Sequence, residues 1–513
     1  MSTAIDDRAA PDALRNLVVL TPMGIEARAV RAGAPWARVE QIGIGPSNAE
    51  RSVQLAQDPS SAVVLAGFAG ALAAGLEPGD VVLASELCSS EGTVPCPDPA
   101  ILAGVLRRGG LRVHIGPVYC SPRIAHGARR RELARSGALA VEMESSWIAG
   151  GALANPFVTL RVISDSQQHE LYRPLRAASG ALAAYRSLRR AAGLLEQWAE
   201  VLGERDVLLG APRASCAGVV RAVDIVRGAL AERGGPIYVR RQIVHNVHVV
   251  AELEQLGAVF VEELDEVPDG ATVIFAAHGV SPAVRAAADE RGFDVIDATC
   301  PLVAKVHAEA RRFARDGFDI VLIGHEEHEE VEGTVGEAPA SFQVIAGEEE
   351  VASVKVADPQ RVAYLTQTTL AVDETARVVE RLRERFPALA GPGSDDICYA
   401  TQNRQDAVRE LASECDIVLV VGSQNSSNSR RLVEVAERAG CPAALIERAD
   451  EIDPGLLLDA RRVGLTAGAS APEELVAGVV NALAGLGPVA LSERTVATET
   501  IHFKLPPQVG RPS

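Results

Sequence analysis

The chain has 513 residues, 47% apolar and 23% charged, and carries a formal charge of −18 from 68 acids against 50 bases. Such a composition is ordinary for a globular protein, with room for about three compact units at roughly 150 residues each. The acidic balance and the absence of a basic stripe exclude nucleic acid as an expected partner and disfavour anionic membrane surfaces.

The opening stretch MSTAIDDRAAPDALRN lacks the basic and apolar regions of a secretory signal. The longest near-apolar run, Ala62–Leu76, falls short of the ~20 residues a bilayer span needs. Eight cysteines with no CxxC pair read as reduced thiols rather than a disulfide framework. The expectation is a cytoplasmic protein without membrane insertion.

Apolar runs alternate with helix-period segments throughout. Strands are expected at Leu17–Leu20, Val63–Ala66, Val158–Val162, Val207–Leu209, Val273–Phe275, Ile320–Ile323, Ile417–Val421 and Val463–Thr466. Runs apolar on both faces and separated by amphipathic helices predict an α/β protein with buried parallel strands. A long Ala/Arg/Leu helix from about Leu175 to Glu204 marks a boundary near residue 200. The expected division is a tail over 1–13, a domain over 14–203, a second over 204–506 and a tail over 507–513.

In the first half, LVVLTPMGIEARAV places Glu26 soon after a strand. VEMESS puts Glu142 and Glu144 at a helix start, and FVTLRVISD ends on Asp165. Gly43, Gly45, Gly67 and Gly70 can bring backbone close to a ligand, although glycine turns alone are a weak signal and helix-start electrostatics would equally explain the carboxylates. Together these segments resemble the purine nucleoside phosphorylase/nucleosidase superfamily over about residues 14–195, especially its methylthioadenosine/adenosylhomocysteine nucleosidase type. The resemblance implies that Met143 and Glu144 contact a ribose, Asp165 protonates a purine leaving group and Glu26 activates the nucleophile. Two departures stand out. The stretch from Asp80 to Glu142 is short, and the GFAG turn lacks the hydroxyl often found in phosphate-using members, which favours hydrolysis over phosphorolysis. An idle scaffold or oligomerisation module is the alternative.

The second half repeats one theme three times: an extended segment, a cysteine, a helix. The cysteines are Cys216, Cys300 and Cys398, and apolar residues at 219, 220, 223, 226 and 230, then at 302, 303, 306, 310 and 313, follow the first two. Pro301 suits a first helical position. A helix start favours a thiolate and equally a metal cluster of net negative charge. Buried cysteines otherwise behave as small hydrophobes, and Cys88, Cys96, Cys120, Cys415 and Cys441 are read that way. Six of ten histidines lie between 245 and 328. His245, His278 and His328 stand at strand ends with TQTT (366–369), SSNS (426–429) and Ser470, a donor-rich cup suited to a polyanion such as a diphosphate. His248, His307 and His325 are read as structural.

The ordered segments CAGV, VHN, AHGV, DATCPLV, GHEEHEEVEGT, TQTT, DDICYATQNRQ, GSQNSSNS and TAGASAP closely resemble the 4-hydroxy-3-methylbut-2-enyl diphosphate reductase family (LytB/IspH). The resemblance spans about Val207 to Pro506 and implies three α/β modules around a [4Fe–4S] cluster held by Cys216, Cys300 and Cys398. It further implies that His245, His278 and His328 with Ser426, Ser427, Asn428 and Ser470 hold a small-molecule diphosphate, that Glu330 supplies protons and that Thr368 positions the substrate hydroxyl. Glu329 stands where the family commonly has Pro. No flavin or nicotinamide fingerprint is visible, so an external electron donor of ferredoxin or flavodoxin type is expected. A non-catalytic iron–sulfur sensor is the alternative.

Overall fold

The computed structural model describes residues 17–57, 61–152, 156–166 and 174–510. The tail expected over 1–13, and residues 511–513 of the tail expected at the other end, lie outside them. The chain packs as two compact units. One runs to Val207 and takes in Arg448–Arg461 and Ala477–Ala490; the other comprises Leu208–Glu447, Arg462–Val476 and the segment from Leu491 onward. No helix among the described residues is long and apolar enough to cross a membrane.

The first unit holds eight strands: β1 (Leu17–Thr21), β2 (Arg38–Gln41), β3 (Ala62–Ala71), β4 (Val81–Ser89), β5 (Gly92–Pro95), β6 (Val113–Cys120), β7 (Ala140–Glu142) and β8 (Phe157–Asp165). Their order is β2-β1-β3-β7-β6-β4-β5, and β8 pairs with both β3 and β4, so five strands close into a ring. The runs expected as parallel strands, Leu17–Leu20, Val63–Ala66 and Val158–Val162, do pair in parallel, and the sheet holds antiparallel pairs besides. β3 pairs antiparallel with β7, and β4 antiparallel with β5 and β8. The turn between Ala71 and Val81 is too short for the crossover that parallel strands require, so the chain reverses. Val63, Leu65, Val82, Leu87, Val118 and Phe157 are buried in the core beneath the sheet. The long helix is Pro174–Ala199, and the next strand starts at Arg205.

The second unit contains three separate sheets. β9 (Arg205–Ala211) belongs to the last. β10 (Ile237–Arg240), β11 (Ala258–Val261), β12 (Thr272–Phe275) and β13 (Asp294–Asp297) form the first, in the order β11-β10-β12-β13. β14 (Asp319–Ile323), β15 (Phe342–Ile345) and β16 (Val362–Thr366) form the second, as β15-β14-β16. β17 (Ile417–Val421), β18 (Ala443–Ile446), β19 (Arg462–Ala467) and β20 (Val489–Thr495) join β9 in the order β18-β17-β19-β9-β20. Pairings within the first two sheets are parallel, and so are β17·β18 and β17·β19. Ligand sites in such sheets gather beyond the carboxyl ends of the strands. On the helix Ala217–Arg233 the buried face is set by Ala222, Val223, Ile225, Val226 and Ala229, whereas Val220, expected inside, is 46% exposed.

Candidate active sites

Cys216, Cys300 and Cys398 each occupy the N-cap of a helix: Ala217–Arg233, Pro301–Arg315 and Tyr399–Glu414. All three line one cavity. The Thr401 amide donates to Cys398 Sγ at 3.3 Å, and Thr401 Oγ1 lies 3.1 Å from the same sulfur. A Cβ on Gly218 would sit 2.8 Å from Cys300 Sγ and 3.8 Å from Cys216 Sγ, so only glycine fits between these sulfurs. Helix amides do reach the thiols, yet burial outweighs them. It pushes Cys300 up to about 12 and Cys398 up to about 11, with the neighbouring thiols adding to the shift. Three half-buried thiols gathered in one cavity suit a metal, which deprotonates its sulfur ligands outright. Cys415 and Cys441 do not line this cavity.

The polyanion cup adjoins the thiols. His245 and His278 stack with centroids 4.0 Å apart, and His328 meets them edge-on at 5.5 and 5.9 Å. Burial first, then the neighbouring cations, lowers His245 to about 2 and His328 to about 3. Ser426 caps the helix Ser427–Arg438 and accepts from the Ser429 amide at 3.3 Å. Both side-chain polar atoms of Asn428 are buried without a partner, as is Nδ1 of His245. Ser470 Oγ donates to the His245 carbonyl at 2.9 Å, and Thr369 Oγ1 to Ser427 Oγ at 3.1 Å. An unsatisfied buried amide is costly unless a ligand completes it.

Glu330 lies at the floor, fully buried on the helix Glu329–Val335. The Thr368 amide donates to its Oε1 at 2.7 Å and Thr368 Oγ1 to its Oε2 at 2.9 Å. Burial raises its carboxyl above the usual range. His248, His307 and His325 stay outside this cavity, and His307 is held 2.7 Å from Glu337. Sequence reasoning missed Gly218 and Thr401. Position two after the first cysteine and three after the third was the available signal.

In the first unit, Glu26, Met143, Glu144 and Asp165 line a second cavity. Glu26 accepts from the amides of Phe68 at 2.6 Å and Met23 at 2.7 Å, and burial raises it to about 7. Glu144 accepts from the Gly45 amide at 3.0 Å and is likewise raised by burial to about 7. Burial pushes Glu142 up too, but Arg161 and nearby hydrogen bonds outweigh it and leave the carboxyl below its ordinary range. Arg161, fully buried, bonds Glu142 and lies 3.4 Å from Glu144. The GFAG segment, expected as a turn, is instead the end of β3, and two of its glycines are required here. A Cβ on Gly67 would stand 2.5 Å from Arg161 Nη1, and one on Gly70 would stand 2.6 Å from Arg130 Nη2. Arg130 and Arg161 were not singled out from the sequence. Ile25, Ile44 and Ile124, all exposed, line the cavity.

Residues 37–199 match the phosphorylase superfamily, which gives the first unit a nucleoside phosphorylase-like fold. Over 311 residues the chain is 58% identical to a 4-hydroxy-3-methylbut-2-enyl diphosphate reductase of Mycobacterium bovis, covering 60% of this chain and 94% of that one. It is 56% identical over 309 residues to the enzyme of that name from Xanthomonas campestris, covering 59% and 98%. The solved structure of the E-1-hydroxy-2-methyl-but-2-enyl-4-diphosphate reductase from Plasmodium falciparum superposes with a TM-score of 0.57 at 37% identity, covering 60% of this chain and 97% of that chain. Residues 207–484, more than half of the chain, match the model of the LytB protein family. The three-cysteine cavity lies inside that span, and the chain belongs to the LytB protein family.

Proposed function

We propose that the second unit reductively removes the hydroxyl of (E)-4-hydroxy-3-methylbut-2-enyl diphosphate, giving isopentenyl and dimethylallyl diphosphate. The observation that carries this reading is one cavity lined by three N-cap cysteines, the His/Ser/Asn cup and the Glu330–Thr368 pair. Two electrons and two protons are consumed, the C4–O bond breaks and water leaves.

Cys216, Cys300 and Cys398 would hold a [4Fe–4S] cluster, and the Gly218 clearance and the three thiols lining one cavity fit that group. The cluster would supply the electrons and an iron without a protein ligand for the substrate hydroxyl. Asn428, Ser426, Ser427, Ser470 and the three histidines would bind the diphosphate and fix the allylic end towards the thiols. Thr368 Oγ1, already bonded to Glu330, would orient the hydroxyl. Glu330, whose carboxyl is raised above its usual range by burial, would deliver a proton with Thr368 as its hydrogen-bond partner. A sensor needs the thiols but not this buried proton carrier, which favours catalysis. Electrons would come from a separate ferredoxin- or flavodoxin-type donor, and the setting would be cytoplasmic. Anaerobic purification with iron and sulfide analysis, then turnover with a reduced dye, tests the reading. Iron-loaded protein that never turns over would leave the sensor.

For residues 14–203 we propose hydrolysis of an N-glycosidic bond in an adenine nucleoside. Glu26 and Glu144, each near 7, give a base able to activate water and a carboxyl able to grip a ribose hydroxyl. The exposed Ile25, Ile44 and Ile124 favour a large apolar 5′ substituent, such as a lipid-linked adenosine. Adenine release without phosphate, measured across small and lipid-linked adenosines on the full chain, tests this. Silence across that panel would leave the scaffold reading.

A further inference from the structure

The diphosphate cup contains a group that does not suit an anion. Glu329 brings a carboxylate beside His278, with Oε2 3.4 Å from Nδ1, and both side chains are mostly buried. A carboxylate there repels a diphosphate, whereas it completes a different kind of site. One ligand atom from each of His245, His278 and Glu329 can be chosen so that all lie within 4.8 Å of one another.

From this juxtaposition we infer that His245, His278 and Glu329 form a binding site for a divalent transition-metal cation of the zinc class. Two imidazoles and one carboxylate are a frequent zinc donor set with three protein ligands and one open position. Nitrogen-rich donors select zinc-like ions over magnesium or calcium, which prefer oxygen.

Two observations support the site. Nδ1 of His245 is buried without a hydrogen-bond partner, and Nδ1 of His278 already has Glu329 Oε2 as its neighbour at 3.4 Å. The supporting structure is already in place as well. Ser470 Oγ holds the His245 backbone at 2.9 Å, and the stacked His278 ring limits rotation of its neighbour. A tetrahedral ion with bonds of about 2.0 Å places its ligands about 3.3 Å apart, so the side chains close by no more than about 1.5 Å.

The site does not depend on the reductase reading. It is tested on the full chain carrying its iron, because three free thiols would otherwise compete for zinc. Protein is equilibrated with zinc, passed through a desalting column, and its zinc and iron are counted. We expect one zinc per chain with iron content unchanged, falling at least tenfold in Glu329→Gln. Glu332→Gln, on the same helix but paired with Arg241, should retain the zinc. Diethyl pyrocarbonate footprinting provides a readout independent of the thiols: zinc should protect His245 and His278 while the exposed His502 stays reactive. Absence of zinc from the wild type, equal uptake by wild type and Glu329→Gln, or unprotected His245 and His278 would each overturn the site. If the chain carries no iron but zinc still protects both histidines, the cluster reading fails and the metal site stands.

Discussion

Arg130 Nη1 donates to Asp165 Oδ2 at 2.5 Å while Nη2 donates to the Asp165 carbonyl at 2.9 Å, and both side chains are buried. The carboxylate expected to protonate a departing purine is therefore engaged by a guanidinium whose Nε also serves the Ala71 carbonyl, at 2.9 Å. For Asp165 to give up a proton, the Nη1 contact must open when a base enters.

Removing one partner of such a buried pair strands the other. Arg130→Met should destabilise the first unit by about 3–5 kcal/mol. Gly70→Ala should act in the same direction, because its Cβ meets Nη2. Thermal or denaturant unfolding followed by calorimetry checks both. Asp165→Asn should abolish any adenine release.

Glu26 makes the first unit's stability depend on pH. Its carboxyl sits at about 7 in the fold against an ordinary 4.5. The folded state thus binds the proton more tightly, and the contribution is full below about pH 4.5 and disappears as pH rises through about 7. The difference corresponds to roughly 3 kcal/mol. Urea midpoints between pH 5 and 8 should decline in the wild type and decline less in Glu26→Gln.

At the thiols, Cys216→Ser, Cys300→Ser and Cys398→Ser should each abolish or strongly reduce iron loading, while Cys415→Ser leaves it intact. Gly218→Ala should lower iron content with a folded chain, because the added methyl invades the space beside Cys300 Sγ. Iron and sulfide counts with circular dichroism separate these effects. Equal loss from Cys415→Ser would sink the assignment.

Glu330→Gln keeps the shape and can still bond Thr368 but has no carboxyl proton to give. Turnover should fall by about 10²–10⁴-fold, with iron content and diphosphate binding retained. Single-turnover assays on reduced protein measure it. Near-normal turnover would make Glu330 a structural acid.

The second unit was the more legible half because its chemistry is local. Each cysteine announces itself by the helix that follows, and all three proved to be N-caps. The first unit hides its electrostatics. Arg130 sits in GARRREL, where it looks like its exposed neighbour Arg129, and its partner is 35 residues away. Arg161 left a clue, a lone charge inside the apolar run FVTLRVISD, but its partners come from another strand end. The antiparallel pairing of β4, β5 and β7 was not legible, because apolarity reports burial and not direction. The short connection after β3 carried the direction instead.

The position of β9 bears on how the protein matures. That strand lies between β19 and β20, although about 250 residues separate it from them in the chain. Cys216 follows β9, and its amide is bonded to the Ala469 carbonyl at 3.0 Å. On a ribosome, the sheets of β10–β13 and β14–β16 can close early, but the seat of Cys216 does not exist until residue 469 has emerged. At ordinary synthesis rates that delay is about 10–50 s. If the thiols take a metal, its complete site is available only after that delay. During the interval the first-made thiols face oxygen and stray ions without their full complement of neighbours.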